Sequence, residues 1–164
     1  MSKVIFLDID GVLNSSFWND THQMEISDGT LIDRKKVKLL SKLVQRTSAE
    51  IVLHSGWKYW FDTDLTPLRA ESEKLQTLLL EKGLHISSVT PDYATEEIKR
   101  TKKFSLIKAK EILAYIEEHP EVQQWVVIDD LDLHNVEIAK HQLQTNSQTG
   151  LTINDIHEIE KMLY

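Results

Sequence analysis

Two aspartates, Asp8 and Asp10, stand directly behind the apolar run Val4-Ile5-Phe6-Leu7. A second acidic pair, Asp129 and Asp130, stands directly behind Trp125-Val126-Val127-Ile128. Between them in the chain, Ile51-Val52-Leu53 is followed by His54 and the hydroxyl of Ser55. If these runs are strands of one sheet, four carboxylates and a hydroxyl arrive at one edge. Like charges at close range disfavour ionisation, so such a site needs a counter-charge. A hard divalent cation supplies it. The donors are all oxygens, cysteine is absent, and the seven histidines show neither an HxH nor an HExxH spacing. That donor set favours magnesium over zinc.

The elements that would position these groups are legible as alternating patterns. Lys3–Leu7, Glu50–Leu53, His85–Val89 and Gln124–Ile128 read as strands, with a weaker one at His141–Leu143. The first, second and fourth are continuously apolar, as expected of strands covered on both faces of a parallel sheet. Helical patterns lie between them. Asp33 is placed to cap one carrying Val37, Leu40 and Val44. Thr66 followed by Pro67 predicts the start of a second, with Leu68, Leu75, Leu78 and Leu79, and Gly83 as its stop. Ser105 is placed to cap a third, with Ala109, Ile112, Leu113 and Ile116 on one face, ending before Pro120. Thr152 and Asp155 resemble a capping box for the last, with Asp in place of Glu or Gln. Strand and helix in alternation mean α/β with a parallel sheet, and in such sheets ligands bind beyond the carboxyl ends of the strands. The longest irregular stretch, Gly11 to Ile32, is of a length that is often functional, and Phe17 and Trp18 within it are candidates for a flap over the site.

The totals bound the class. The chain has 164 residues, 41% hydrophobic and 27% charged, which suits a single domain spanning residues 1–164. With no cysteine, disulfides and thiolate chemistry are excluded, which fits a cytoplasmic setting. The start has the apolar run Val4–Leu7 and then an aspartate, which is not the pattern of a signal peptide. No apolar stretch approaches the roughly 20 residues needed to span a bilayer. A formal charge of −7 argues against a long duplex nucleic acid as partner.

Phe6–Asn14, reading FLDIDGVLN, closely resembles the DxDGV/T signature of haloacid dehalogenase-like (HAD) phosphatases. Ile51–Trp57 looks like the second motif of that class and Val126–Asp130 like its fourth. Within the class, the Ser-x-Trp-Lys stretch, Lys108–Ile112, His119–Val122 and Gly150–Thr152 resemble the HAD domain found in Swiss Army Knife RNA repair proteins. The resemblance implies a three-layer, Rossmann-like HAD fold with a central parallel sheet. Neither inter-motif gap can house a large cap domain. It also implies that Asp8 attacks phosphorus and that Asp10 serves as acid and then base. Magnesium would be held by Asp8, the backbone carbonyl of Asp10 and Asp129, with Asp130 acting directly or through water. Asp132 is a weaker candidate. Ser55 and the backbone amides after Asp8, Gly11 among them, would hold the phosphate. The lysine that steadies the phosphorylated aspartate would be Lys108, with Lys103, also a candidate substrate contact, as its rival. Both lie in Lys99–Lys110, which carries six basic residues and no acid.

The resemblance implies a magnesium-dependent phosphomonoester hydrolase. Its substrate would be a phosphorylated small molecule, a nucleotide or an RNA-terminal phosphate. Trp57, Lys58, Tyr59, Trp60 and Phe61, in a predicted loop, either contact that substrate or pack the loop onto the body. The competing class is a non-catalytic module that binds magnesium or phosphate, or a phospho-switch.

Overall fold

The computed structural model describes residues 2–15, 31–101 and 104–164. Five strands form one all-parallel sheet: β1 Ser2–Leu7, β2 Glu50–Leu53, β3 Ile86–Val89, β4 Val122–Asp129 and β5 Gln142–Gln144. Their order is β3-β2-β1-β4-β5. The chain moves outward from β1 through β2 to β3, then returns past β1 to place β4 on its other side. The strand order therefore reverses beside β1, and the crevice at such a reversal is where open α/β sheets bind ligands.

The helices are α1 Arg34–Thr47, α2 Ala70–Glu81, α3 Glu96–Thr101, α4 Phe104–Glu118, α5 Val136–Ala139 and α6 Ile153–Met162. Ile5, Leu7, Ile51, Leu53, Val126 and Ile128 pack on one face of the sheet, with Leu40 and Leu43 of α1, Leu75 and Leu79 of α2, and Ile156 and Ile159 of α6. Val4, Phe6, Val52, Trp125 and Val127 alternate onto the other face, against Ala109, Ile112 and Tyr115 of α4. This is the three-layer arrangement expected from continuously apolar strands. Each fully buried Leu or Ile contributes roughly 1.5–3 kcal/mol relative to an exposed one. Among the described residues, no helix is long and apolar enough to cross a membrane.

Several boundaries follow the local signals. The Asp33 side chain accepts the Lys35 amide at 2.9 Å and caps α1. Thr152 and Asp155 exchange side-chain and backbone hydrogen bonds of 3.2 and 2.9 Å, so the Asp version of the capping box works. Gly83, at φ +73°, follows the end of α2 as expected.

Two helix starts differ from expectation. Thr66 does not cap α2. Asp62 takes its amide at 2.8 Å, its carbonyl accepts the Asp62 N–H, and Pro67 bridges back to Phe61, so residues 61–68 form a small turn. The helix starts only at Ala70. Ser105 does not cap α4 either; it lies inside that helix, which is already formed at Phe104. The predicted loop after Ser55 is a 3-10 helix, Gly56–Trp60. The suggested flap residues Phe17 and Trp18, and Lys103, lie outside the described residues.

Candidate metal and phosphate site

The sheet register explains how the site assembles. Leu7 of β1 pairs with Leu53 of β2 and with Ile128 of β4. The next residue on each strand is His54, Asp8 and Asp129. These three share one level, and by strand alternation they share the face of Phe6, Val52 and Val127, which α4 covers. The Asp8 amide donates to the Ile128 carbonyl at 3.0 Å and the His54 amide to the Leu7 carbonyl at 3.1 Å, which keeps the three strands in step past their formal ends. Asp130 leans in from the turn after β4. Carboxylate oxygens of Asp8, Asp129 and Asp130 lie within 4.8 Å of one another. That spacing suits a shared divalent cation, and the all-oxygen donor set suits a hard one.

Lys108 reaches the cluster from α4. Its Nζ lies 2.9 Å from Asp129 Oδ2 and 3.6 Å from Asp8 Oδ1. Because Phe104 is already helical, Lys108 sits beyond the first turn, away from the positive end of the helix dipole.

The electrostatics follow from burial. Desolvation first, and then the neighbouring Asp129, push the Asp8 carboxyl well above its ordinary value, with Lys108 opposing. Burial and the hydrogen bond and charge of Asp129 push Asp130 up to about 6. Burial would raise Asp129 too, but the hydrogen bonds it accepts from His54 and Lys108 hold it below the carboxylate range. Burial works against the Lys108 ammonium, and Asp8 and Asp129 outweigh it, so Lys108 stays charged. Three carboxylates and one ammonium leave a net negative pocket with room for further positive charge.

Asp10 is held apart from the cluster. Its two carboxylate oxygens accept from the Trp57 indole N–H at 3.1 Å and from the Asn14 amide at 2.9 Å. Asp8 and Asp10 both face one cavity of about 740 Å³. Ser55, 2% exposed, lines it as well. The Ser55 oxygen accepts the Trp57 amide at 3.1 Å, which leaves its own O–H to donate.

Three expected substrate contacts need correction. The Gly11 amide donates to Asn14 Oδ1 at 3.0 Å, so it is not a free phosphate donor. What Gly11 contributes is space: at φ +80° it lies so close to Asp130 that a Cβ there would overlap the carboxylate. Lys58 spends all three N–H bonds internally, on Glu111 Oε1 at 2.9 Å, Thr90 Oγ1 at 3.1 Å and the Pro91 carbonyl at 3.0 Å, and has none left for a ligand. Trp57 is buried with its N–H on Asp10, packing the 3-10 helix onto the body; Tyr59 and Trp60 are the more open aromatics along the cavity. Asp132 is exposed, caps the His134 amide at 2.8 Å and stands outside the acidic cluster.

Three residues escaped the sequence reading. His54, buried completely, donates from Nε2 to Asp129 Oδ2 at 2.8 Å. Desolvation lowers its pKa, so the ring is neutral, and its Nδ1 has no partner among the described residues. The signal for it was present: like Asp8 and Asp129, it is the first residue after an apolar run. Asn14 and Glu111 fall inside the Phe6–Asn14 and Lys108–Ile112 stretches, but no strand-end position or spacing singles them out.

Comparisons of the chain with curated proteins and with solved structures gave no significant match. A family model described as the HAD domain in Swiss Army Knife RNA repair proteins matches residues 4–156, a span that includes every side chain in the site, and the chain belongs to this family of HAD-type hydrolase domains.

Proposed function

We propose that this chain is a magnesium-dependent phosphomonoester hydrolase that works through an aspartyl-phosphate on Asp8 and acts on nucleotide or RNA-terminal phosphates. The observation that carries the reading is the meeting of Asp8, Asp129 and Asp130 within 4.8 Å, with the Lys108 ammonium against two of them.

Asp8 attacks phosphorus while Asp10 gives its proton to the departing oxygen. Asp10 leaves that step as a carboxylate, the form that the Trp57 and Asn14 donors suit. It then takes a proton from water as the water oxygen attacks phosphorus and the bond to Asp8 breaks. Ser55 and Lys108 hold the phosphoryl oxygens through both steps. A magnesium ion held by Asp8, the Asp10 carbonyl and Asp129, with Asp130 directly or through water, would neutralise charge on the phosphoryl group. A binding-only module or a slow phospho-switch has no use for an Asp10 so positioned.

Two things support a nucleotide or RNA end as substrate. The cavity is far larger than a phosphate, and Tyr59, Trp60, Phe104 and Ile107 give it an apolar and aromatic wall. The family is also described from RNA repair proteins. A cytoplasmic setting belongs to the same reading. With magnesium present, 3′-phosphorylated oligonucleotides are expected to outcompete sugar phosphates in phosphate-release assays. A clear preference for sugar phosphates would remove the nucleic-acid half of the proposal.

Magnesium is also expected to stabilise the fold. At one hundred times its dissociation constant, a ligand of the native state adds about 2.7 kcal/mol. For a chain of this size that raises Tm by roughly 5–10 °C. Asp130 and Asp8 titrate above their unfolded values near 3.8. A raised carboxyl pKa means that the folded state holds a proton which the unfolded chain has lost. For Asp130 the resulting stability is present at low pH and lost as pH rises from about 4 through about 6, and Asp8 acts in the same direction. Magnesium must displace those protons below that range, so its Tm shift should be larger at pH 7.5 than at pH 5. Differential scanning fluorimetry reads this directly, and a shift that shrinks with rising pH would count against the carboxylates as ligands.

A further inference from the structure

Lys58 and Glu111 form a buried ion pair that the chemistry above does not use. Their side chains are 5% and 3% exposed and their charged atoms 2.9 Å apart. The pair is fully satisfied: the ammonium also donates to Thr90 and to the Pro91 carbonyl, and Glu111 Oε2 accepts the Tyr93 amide at 2.7 Å. A buried ion pair is weak evidence for stability, because apolar residues of similar volume are often as good or better.

Its place in the fold is more informative. Lys58 lies on the 3-10 helix that Ser55 caps, with its amide on the Ser55 carbonyl at 3.0 Å. Glu111 lies on α4, three residues after Lys108 and so on the same side of that helix. The pair thus ties the segment bearing Ser55 to the segment bearing Lys108, about one turn from each functional group. The Thr90, Pro91 and Tyr93 contacts add the loop after β3 to the same knot.

We propose that the Lys58–Glu111 pair is a positioning device that sets the gap between Ser55 and Lys108, and with it the affinity of the site for a phosphoryl group. This rests on the reading that Ser55 and Lys108 hold phosphate.

The test compares Glu111→Asp, Lys58→Met and the double variant Lys58→Met/Glu111→Gln with wild type. Each is assayed for Tm, for kcat and KM on p-nitrophenyl phosphate with magnesium, and for inhibition by inorganic phosphate. Lys58→Met strands a buried carboxylate and should lower Tm. The double variant removes both charges, while the amide oxygen that Glu111→Gln leaves in place still accepts the Tyr93 N–H, so Tm should recover. Displacements of about 1 Å at a site can cost up to about 100-fold. We therefore expect the double variant to keep a KM and a phosphate inhibition constant at least about tenfold weaker than wild type. Glu111→Asp keeps the charge and shortens the tether by one methylene, and it should weaken phosphate binding in the same direction without unfolding the protein. Wild-type phosphate affinity in folded Glu111→Asp, or in a double variant of recovered Tm, would overturn the proposal while leaving the hydrolase reading intact. Wild-type protein that neither hydrolyses the ester nor binds phosphate would instead overturn the hydrolase reading, and this proposal with it.

Discussion

Asp8→Asn is expected to abolish phosphomonoesterase activity and, in metal-free protein, to raise Tm. The two effects have one cause. Asp8 is buried beside Asp129, and its carboxyl is pushed well above the ordinary range. The ionised form is therefore held in the folded state against its preference, and that cost is fully present once pH exceeds the folded pKa. Asparagine has nearly the same shape and no charge, so it relieves the crowding. It also cannot form the acyl phosphate. Loss of a nucleophile costs roughly 10⁴- to 10⁶-fold in kcat where the mechanism depends on it. Scanning fluorimetry in EDTA and a phosphate-release assay check both halves. Activity that survives the substitution would rule out attack by Asp8, whereas a lower metal-free Tm would mean that the carboxylate is a net stabiliser of the apo fold.

Lys108→Met should separate the phosphate-holding cation from the metal ligands. In metal-free protein its ammonium is the cation bridging Asp129 and Asp8 at 2.9 and 3.6 Å. Removing one partner of a buried pair costs about 3–5 kcal/mol, because the other charge is left uncompensated. The Tm in EDTA should fall by roughly 6–20 °C. Magnesium then finds more negative potential and an Asp129 oxygen that no ammonium occupies. Its affinity, measured by titration calorimetry, should rise above wild type and most of the lost Tm should return. Activity should still fall about 10²- to 10³-fold, the usual cost of removing one preorganised donor to a transition state. Weaker magnesium binding in Lys108→Met would show that the lysine shapes the carboxylate cluster rather than competing for it.

Much of this was legible because parallel strands of matched register deliver equivalent positions to one level. The first residue after each of three apolar runs is Asp8, His54 or Asp129, and the structure sets these three side by side. His54 went unassigned because a lone histidine has no metal-ligand spacing; its strand position was the better clue. The caps at Asp33 and Thr152 were readable because their signals are local and uncontested. Thr66-Pro67 carried an equally good start signal and lost to Asp62, whose side chain captured the Thr66 amide first. Helix α5 is too brief to show a helical period, and the 3-10 helix at Gly56–Trp60 looks like loop for the same reason. The Lys58–Glu111 pair was beyond reach, since nothing near either residue in the chain names the other. Its consequence is that Lys58, an aromatic-flanked cation, reads either as a ligand contact or as loop packing until its three acceptors are seen.

Attack by Asp8 on phosphorus is tested most directly by catching the acyl phosphate. Protein turning over a slow phosphomonoester with magnesium is quenched in acid within one turnover, reduced with borohydride, digested and sequenced by mass spectrometry. The reduced, homoserine-type product is expected at position 8 and nowhere else. No reduced product at position 8 at any quench time through the first turnover while phosphate is released, or reduction at a different carboxylate, would contradict it.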